Sequence, residues 1–229
     1  MNRRSELSAN LATVEARIEA ACARAGRDRD SVTLIVITKT YPASDVDLLA
    51  ELGVRHVGEN RHPEAGDKFA DVEHPLTWHF VGGLQTNKAA AVAQYADVVH
   101  SVDRVKLVTA LQKGAHKADR KLDCFVQVRL SNDEGRSGVA PAEAMGVADA
   151  IAGADDLRLA GVMAIAPLGA DPAAAFAELA QVSAALASQY RRATMISAGM
   201  SGDLEDAIKA GATHLRIGRS VLGARPATG

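Results

Sequence analysis

Eight short apolar runs alternate with stretches of helical periodicity between residues 32 and 217, and this alternation restricts the fold more than any other feature. The runs lie at residues 32–38, 55–58, 77–81, 98–101, 123–129, 159–165, 194–197 and 214–217. Helical stretches fall between them at 44–52, 103–118, 141–152, 171–189 and 201–210. A polar residue or a proline opens each, and Gly53, Gly153 and Gly211 close three of them, which is the expected punctuation. Residues 51–58, 94–100 and 209–216 share one habit of helix, small-residue stop and strand. Repeated units of this kind demand a parallel sheet. Eight of them within 229 residues predict an α/β fold, a single closed (β/α)8 TIM barrel over 1–229, with a doubly wound open sheet as the competing arrangement. A leading helix is also expected, because Leu7, Leu11, Val14 and Ile18 form one stripe with Glu15, Arg17 and Glu19 off it. No linker or composition break divides the chain, so one domain is expected.

A net charge of −2 argues against a nucleic-acid polyanion as partner. No continuous apolar segment follows Arg3 and Arg4, which makes the N-terminus a helix and not a signal peptide. Nowhere do about eighteen apolar residues run together, so no membrane span and a cytoplasmic protein are expected. Cys22 and Cys124 are the only cysteines, too few for a disulfide framework or a zinc site. They read as small buried hydrophobes.

In such a barrel, function sits where the strands end. Lys39 closes the β-branched run 32–38 and precedes Thr40, Tyr41 and Pro42. Two roles suit a lysine there. Its stem can run over the rim with the charge in water, or desolvation can lower its pKa and prepare the amine for a Schiff base with a carbonyl compound. Lys68, Lys88, Lys106, Lys113, Lys117 and Lys209 fall on helices and Lys121 precedes a strand, so Lys39 alone has the placement a Schiff-base lysine needs.

The turn from Ser197 through Gly199, Met200 and Ser201 to Gly202 leads into a helix whose first N–H groups suit an anion. Gly218, Arg219 and Ser220 follow the eighth strand, and phosphate sites in barrels are commonly built from these two loops. Asp203, Glu205 and Asp206 oppose a dianion there and must face solvent for a phosphate to bind. Arg216 shares a strand face with His214, and a buried guanidinium needs a partner: a ligand phosphate, a ring nitrogen or a carboxylate of the protein. Asn60 can serve a ring hydroxyl or cap a turn, and His79 reads as a hydrogen-bonded core histidine.

Seven motifs then occur in order along nearly the whole chain: Thr38-Lys39-Thr40, Gly58-Glu59-Asn60, Trp78-His79-Phe80-Val81-Gly82, His100-Ser101-Val102-Asp103, Gly161-Val162-Met163-Ala164, Ala198-Gly199-Met200-Ser201 and Arg216-Ile217-Gly218. Together they closely resemble the pyridoxal phosphate homeostasis proteins, a group related to the N-terminal barrel of bacterial alanine racemase. The resemblance implies pyridoxal 5'-phosphate held as an internal aldimine on Lys39. It implies phosphate contacts from Ser197, Gly199, Met200 and Ser201 and from Gly218 and Arg219, with Asn60 and Arg216 near the cofactor. It also implies a monomer or weak associate that carries or regulates the cofactor, with pyridoxal phosphate-dependent apo-enzymes as partners, a role in vitamin B6 and amino-acid balance, and no established turnover. The chain departs from the family pattern at Arg61, His62, Pro63, Gly83, Ala198 and Arg219. The sequence ends soon after the eighth strand, so a racemase's second, tyrosine-bearing domain is not expected, and Arg136 is a loose echo of the racemases' ring-facing arginine. An amino-acid racemase using Lys39, and a cofactor-free Schiff-base aldolase acting on a sugar phosphate, are the competing activities.

Overall fold

The computed structural model describes residues 2–130 and 137–224. Each predicted run forms a parallel strand, and neighbours pair in chain order until the eighth returns to the first, closing the barrel and excluding the open sheet. The strands are β1 (Thr33–Ile37), β2 (His56–Glu59), β3 (Thr77–Phe80), β4 (Val98–Val102), β5 (Leu122–Gln127), β6 (Leu157–Met163), β7 (Met195–Ser197) and β8 (His214–Ile217).

Side chains alternate between the two faces of each strand. Val36, Val57, Trp78, Val99, Val126, Val162 and Leu215 point outward into the main core under the helices. Each such burial contributes roughly 1.5–3 kcal/mol for a Val- or Leu-sized side chain. The inner face is different: Val98, Phe125, Ala160 and Met163 form a small separate apolar cluster, and much of the rest is polar.

The outer layer comprises α1 (Arg3–Arg24), α2 (Ala43–Glu51), α3 (Glu64–Asp71), α4 (Ala89–Val92), α5 (Val105–Ala118), α6 (Ala144–Ala152), α7 (Pro172–Gln189), α8 (Leu204–Lys209) and α9 (Arg219–Leu222). The leading stripe buries Leu7, Val14 and Ile18, as its periodicity requires. In α7 the start is fixed chemically: Pro172 takes the first turn, where its missing N–H costs nothing, and Asp171 accepts from the Ala173 N–H at 3.0 Å. One helix differs from expectation. α8 begins at Leu204, three residues later than its pattern suggests, because Asp203 turns back to accept from the Met200 N–H at 2.6 Å. α3 carries Lys68 on a helix as expected, but with only Ala65 buried it has almost no apolar stripe to show which side faces inward. Among the described residues no helix is long and apolar enough to cross a membrane. Cys22 and Cys124 are free and buried.

Candidate functional site

A cleft of about 740 Å³ opens at the C-terminal ends of the strands. Lys39 lines it two residues beyond β1, and Asn60 lines it directly beyond β2. Met200, Ser201, Arg216, Gly218 and Arg219 also line it, the last three from β8 and its loop beside β1, so seven of the nine expected site residues share one cavity. Ser197 and Gly199 stand outside the lining. Ser197 is fully buried, with its hydroxyl engaged by His100 at 2.8 Å and Arg216 at 2.6 Å. Gly199 adopts φ +93°, and a Cβ there would lie 2.7 Å from the Ala207 Cβ and 2.8 Å from a Leu215 methyl. The turn after β7 therefore needs glycine for its own packing. Arg136 lies outside the described residues.

Lys39 is held from both sides. Thr38, wholly buried, donates its hydroxyl to Glu59 Oε1 at 2.7 Å and its backbone N–H to the Gly58 carbonyl at 3.0 Å. Thr40 takes φ +72°, an uncommon conformation for a β-branched residue, so the chain turns sharply just after the lysine. Lys68 also reaches this point. From α3 its amine donates to the Thr38 carbonyl at 2.7 Å and pairs with Glu59. Sequence position had set Lys68 aside as helical, yet its stem runs inward and leaves its ammonium one residue from Lys39 along the backbone. Lys68 is thus a site-supporting residue that the strand-end rule does not find, whereas Glu59 stands at the end of β2 where that rule looks.

Asn60 is fixed by close backbone approach. A Cβ on Gly82 would lie 2.0 Å from the Asn60 carbonyl oxygen, so the loops after β2 and β3 can touch only through glycine.

The loops after β7 and β8 offer donors. The backbone N–H groups of Ser201, Gly202, Arg219 and Ser220 make no hydrogen bond among the described residues, and three of these four residues line the cleft. The Met200 N–H is already spent on Asp203. Asp203 itself lines the cleft instead of facing solvent, whereas Glu205 turns away to Arg17 at 2.9 Å. Against that one carboxylate, the described lining carries four cationic side chains: Lys39, Arg129, Arg216 and Arg219. The balance favours an anion. α1 braces both loops from outside: Arg17 donates to the Ser201 carbonyl at 3.1 Å, Asn10 to Val221 at 3.0 Å and Arg3 to Leu222 at 3.0 Å.

Arg216 is buried and donates to Ser197 Oγ and, at 2.8 Å, to the Ala164 carbonyl. Burial lowers its pKa to about 10, opposed by the nearby Asp203 charge. His79 is the hydrogen-bonded core histidine expected, lying between His56 and His100. Among the described residues no cluster of ligands suits a metal.

Comparison with known proteins agrees with this geometry. The sequence profile described as alanine racemase, N-terminal domain, matches residues 9–226. The pyridoxal phosphate homeostasis protein of Mycobacterium tuberculosis H37Rv is 38% identical, with 98% of this chain and 95% of that protein covered. The protein of the same description from Corynebacterium glutamicum is 39% identical over 93% of this chain and 99% of its own length. PipY of Synechococcus elongatus PCC7942, solved with PLP bound, superposes with a TM-score of 0.83 at 32% identity, covering 95% of this chain and all of that one.

Proposed function

We propose that this chain, which belongs to the family of the alanine racemase N-terminal domain, binds pyridoxal 5'-phosphate and carries it or regulates its supply. The observation that carries this reading is the placement of one lysine, Lys39, in the same cleft as two donor-rich loops. When bound, the cofactor supplies an aldehyde that condenses reversibly with a primary amine, and a phosphate dianion.

Lys39 provides the amine. Thr38, clamped by Glu59 and Lys68, fixes the backbone from which the Lys39 stem departs. The N–H groups of Ser201, Gly202, Arg219 and Ser220, which make no hydrogen bond among the described residues, and the Arg219 side chain would receive the phosphate, as backbone nests commonly do. Asn60 would offer its amide to the ring hydroxyl, and Arg216, which lines the same cleft, would bring its charge to the bound cofactor. Ser197 and Gly199 act on this site from beneath, Ser197 through Arg216 and Gly199 by shaping the turn. The protein works as a cytoplasmic monomer that delivers cofactor to pyridoxal phosphate-dependent apo-enzymes.

Titration of purified protein with pyridoxal phosphate, followed by borohydride reduction and mass mapping, tests the assignment. The added mass is expected on Lys39 and absent from Lys39→Ala; a reducible adduct that survives in Lys39→Ala refutes it. Incubation with L-alanine in deuterated water separates carriage from racemisation: exchange at Cα on the loaded protein identifies an enzyme. Colourless protein that ignores pyridoxal phosphate and traps a ketose phosphate identifies an aldolase.

A further inference from the structure

Bulky branched apolar side chains ordinarily fill the interior of a (β/α)8 barrel. Here His56, His79, His100 and His214 gather inside, with ring centroids 5.1–6.4 Å apart in the contacting pairs. Three of them join end to end. His56 Nδ1 lies 3.0 Å from His79 Nε2, and His79 Nδ1 lies 2.8 Å from His100 Nε2. His100 Nδ1 lies 2.8 Å from Ser197 Oγ, which lies 2.6 Å from an Arg216 nitrogen.

The chemistry of the terminal group sets the direction of this chain. A guanidinium only donates, so Ser197 accepts from Arg216. The single Ser197 hydrogen then goes to His100 Nδ1, because among the described residues its oxygen has no third polar neighbour. A neutral ring that accepts at Nδ1 carries its hydrogen on Nε2, and donates it onward. His100 therefore donates to His79, and His79 to the half-buried His56. With the chain in this direction, charging His79 would set its N–H against that of His100, and charging His100 would set its N–H against the Ser197 O–H. Burial reinforces neutrality, holding both rings well below the usual histidine pKa.

We propose that His100 and Ser197 are positioning residues for Arg216: a one-way hydrogen-bond chain, running from the guanidinium to His56, holds Arg216 in the cleft wall by neutral acceptors. Ser197 and the Ala164 carbonyl take two of its five N–H groups, and among the described residues no carboxylate pairs with it, so its charge stays available to the ligand. The ligand readout rests on the pyridoxal phosphate reading of the cleft, whereas the direction of the chain does not.

Two measurements decide it. In ligand-free protein labelled with ¹⁵N-histidine, imidazole NMR at neutral pH is expected to show His56, His79 and His100 neutral with the proton on Nε2. A charged ring or an Nδ1–H form at any of the three overturns the chain. In pyridoxal phosphate titrations, Ser197→Ala and His100→Phe are each expected to weaken binding about tenfold, and Ser197→Thr to restore it to within about threefold, the scale of one charge-assisted hydrogen bond. His100→Phe keeps a flat ring against Phe125, on which His100 stacks at 4.5 Å. In an Arg216→Met background Ser197→Ala is expected to have no further effect. Equal losses in both backgrounds show that Ser197 does not act through Arg216 and overturn the positioning role. Unmutated protein that takes up no pyridoxal phosphate refutes the function proposed above, and the NMR result still decides the chain.

Discussion

Glu59 is buried with its side chain 4% exposed, and its charge is met by the Thr38 hydroxyl and by Lys68, itself only 10% exposed. Removing one member of such a pair strands the other in a poorly solvating interior. Lys68→Met is therefore expected to cost about 3–5 kcal/mol of stability, read as the shift of a urea unfolding curve. Glu59→Gln added to Lys68→Met is expected to recover part of that loss. A single Lys68→Met protein as stable as its parent would show that the pair supports nothing. Neither side chain lines the cleft, so their effect on the ligand passes through Thr38 and the direction in which Lys39 leaves β1.

At the scale of elements, α1 is joined to the two loops that offer anion donors, through Arg17, Asn10 and Arg3. The Arg17–Glu205 pair is more than a third exposed on both sides, so its own contribution to stability is small. Its second contact is the consequential one, since the guanidinium also holds the Ser201 carbonyl. Arg17→Ala is expected to weaken pyridoxal phosphate binding about threefold, a fraction of one charge-assisted hydrogen bond, with little change in the urea midpoint. A large fall in stability with unaltered affinity would reverse that assignment. The elements themselves were legible in the sequence to unequal degrees. Each strand announces itself locally, by an apolar run bounded by small residues, and Lys39 and Asn60 follow from where those runs stop. α3 gives little local sign of which side turns inward, because it buries a single alanine, so the inward path of Lys68 is invisible in the sequence. The start of α8 depends on Asp203 reaching back to Met200, a side-chain choice that periodicity does not register.

Across the whole molecule, the polar barrel interior makes stability depend on acidity. Burial lowers the His214 pKa to about 4, with further lowering by His56 and Arg216, against 6.5 for an unhindered histidine. The unfolded chain therefore takes up the proton first. Stability is fully present above about pH 6.5 and declines as the pH falls toward 4, by on the order of 3 kcal/mol from His214 alone. His79 and His100 add to the loss with the same sign. Urea midpoints measured from pH 7 to pH 5 are expected to fall, and less steeply in His214→Leu; an unchanged slope in that variant would remove His214 from the account. Such an interior was only half readable beforehand. His79 was evident as a core histidine and Arg216 as sharing a face with His214, but the His56–His79–His100–Ser197 chain joins residues on four strands, and its step from His100 on β4 to Ser197 on β7 crosses the barrel interior between strands that are not neighbours. Closure by β1 against β8 also has a consequence during synthesis. The first strand keeps an open edge until the last one has left the ribosome, and α1 has nothing to brace until the loops after β7 and β8 exist. A nascent chain thus carries Lys39 long before it carries a pocket, and cofactor capture is deferred until translation has passed β8.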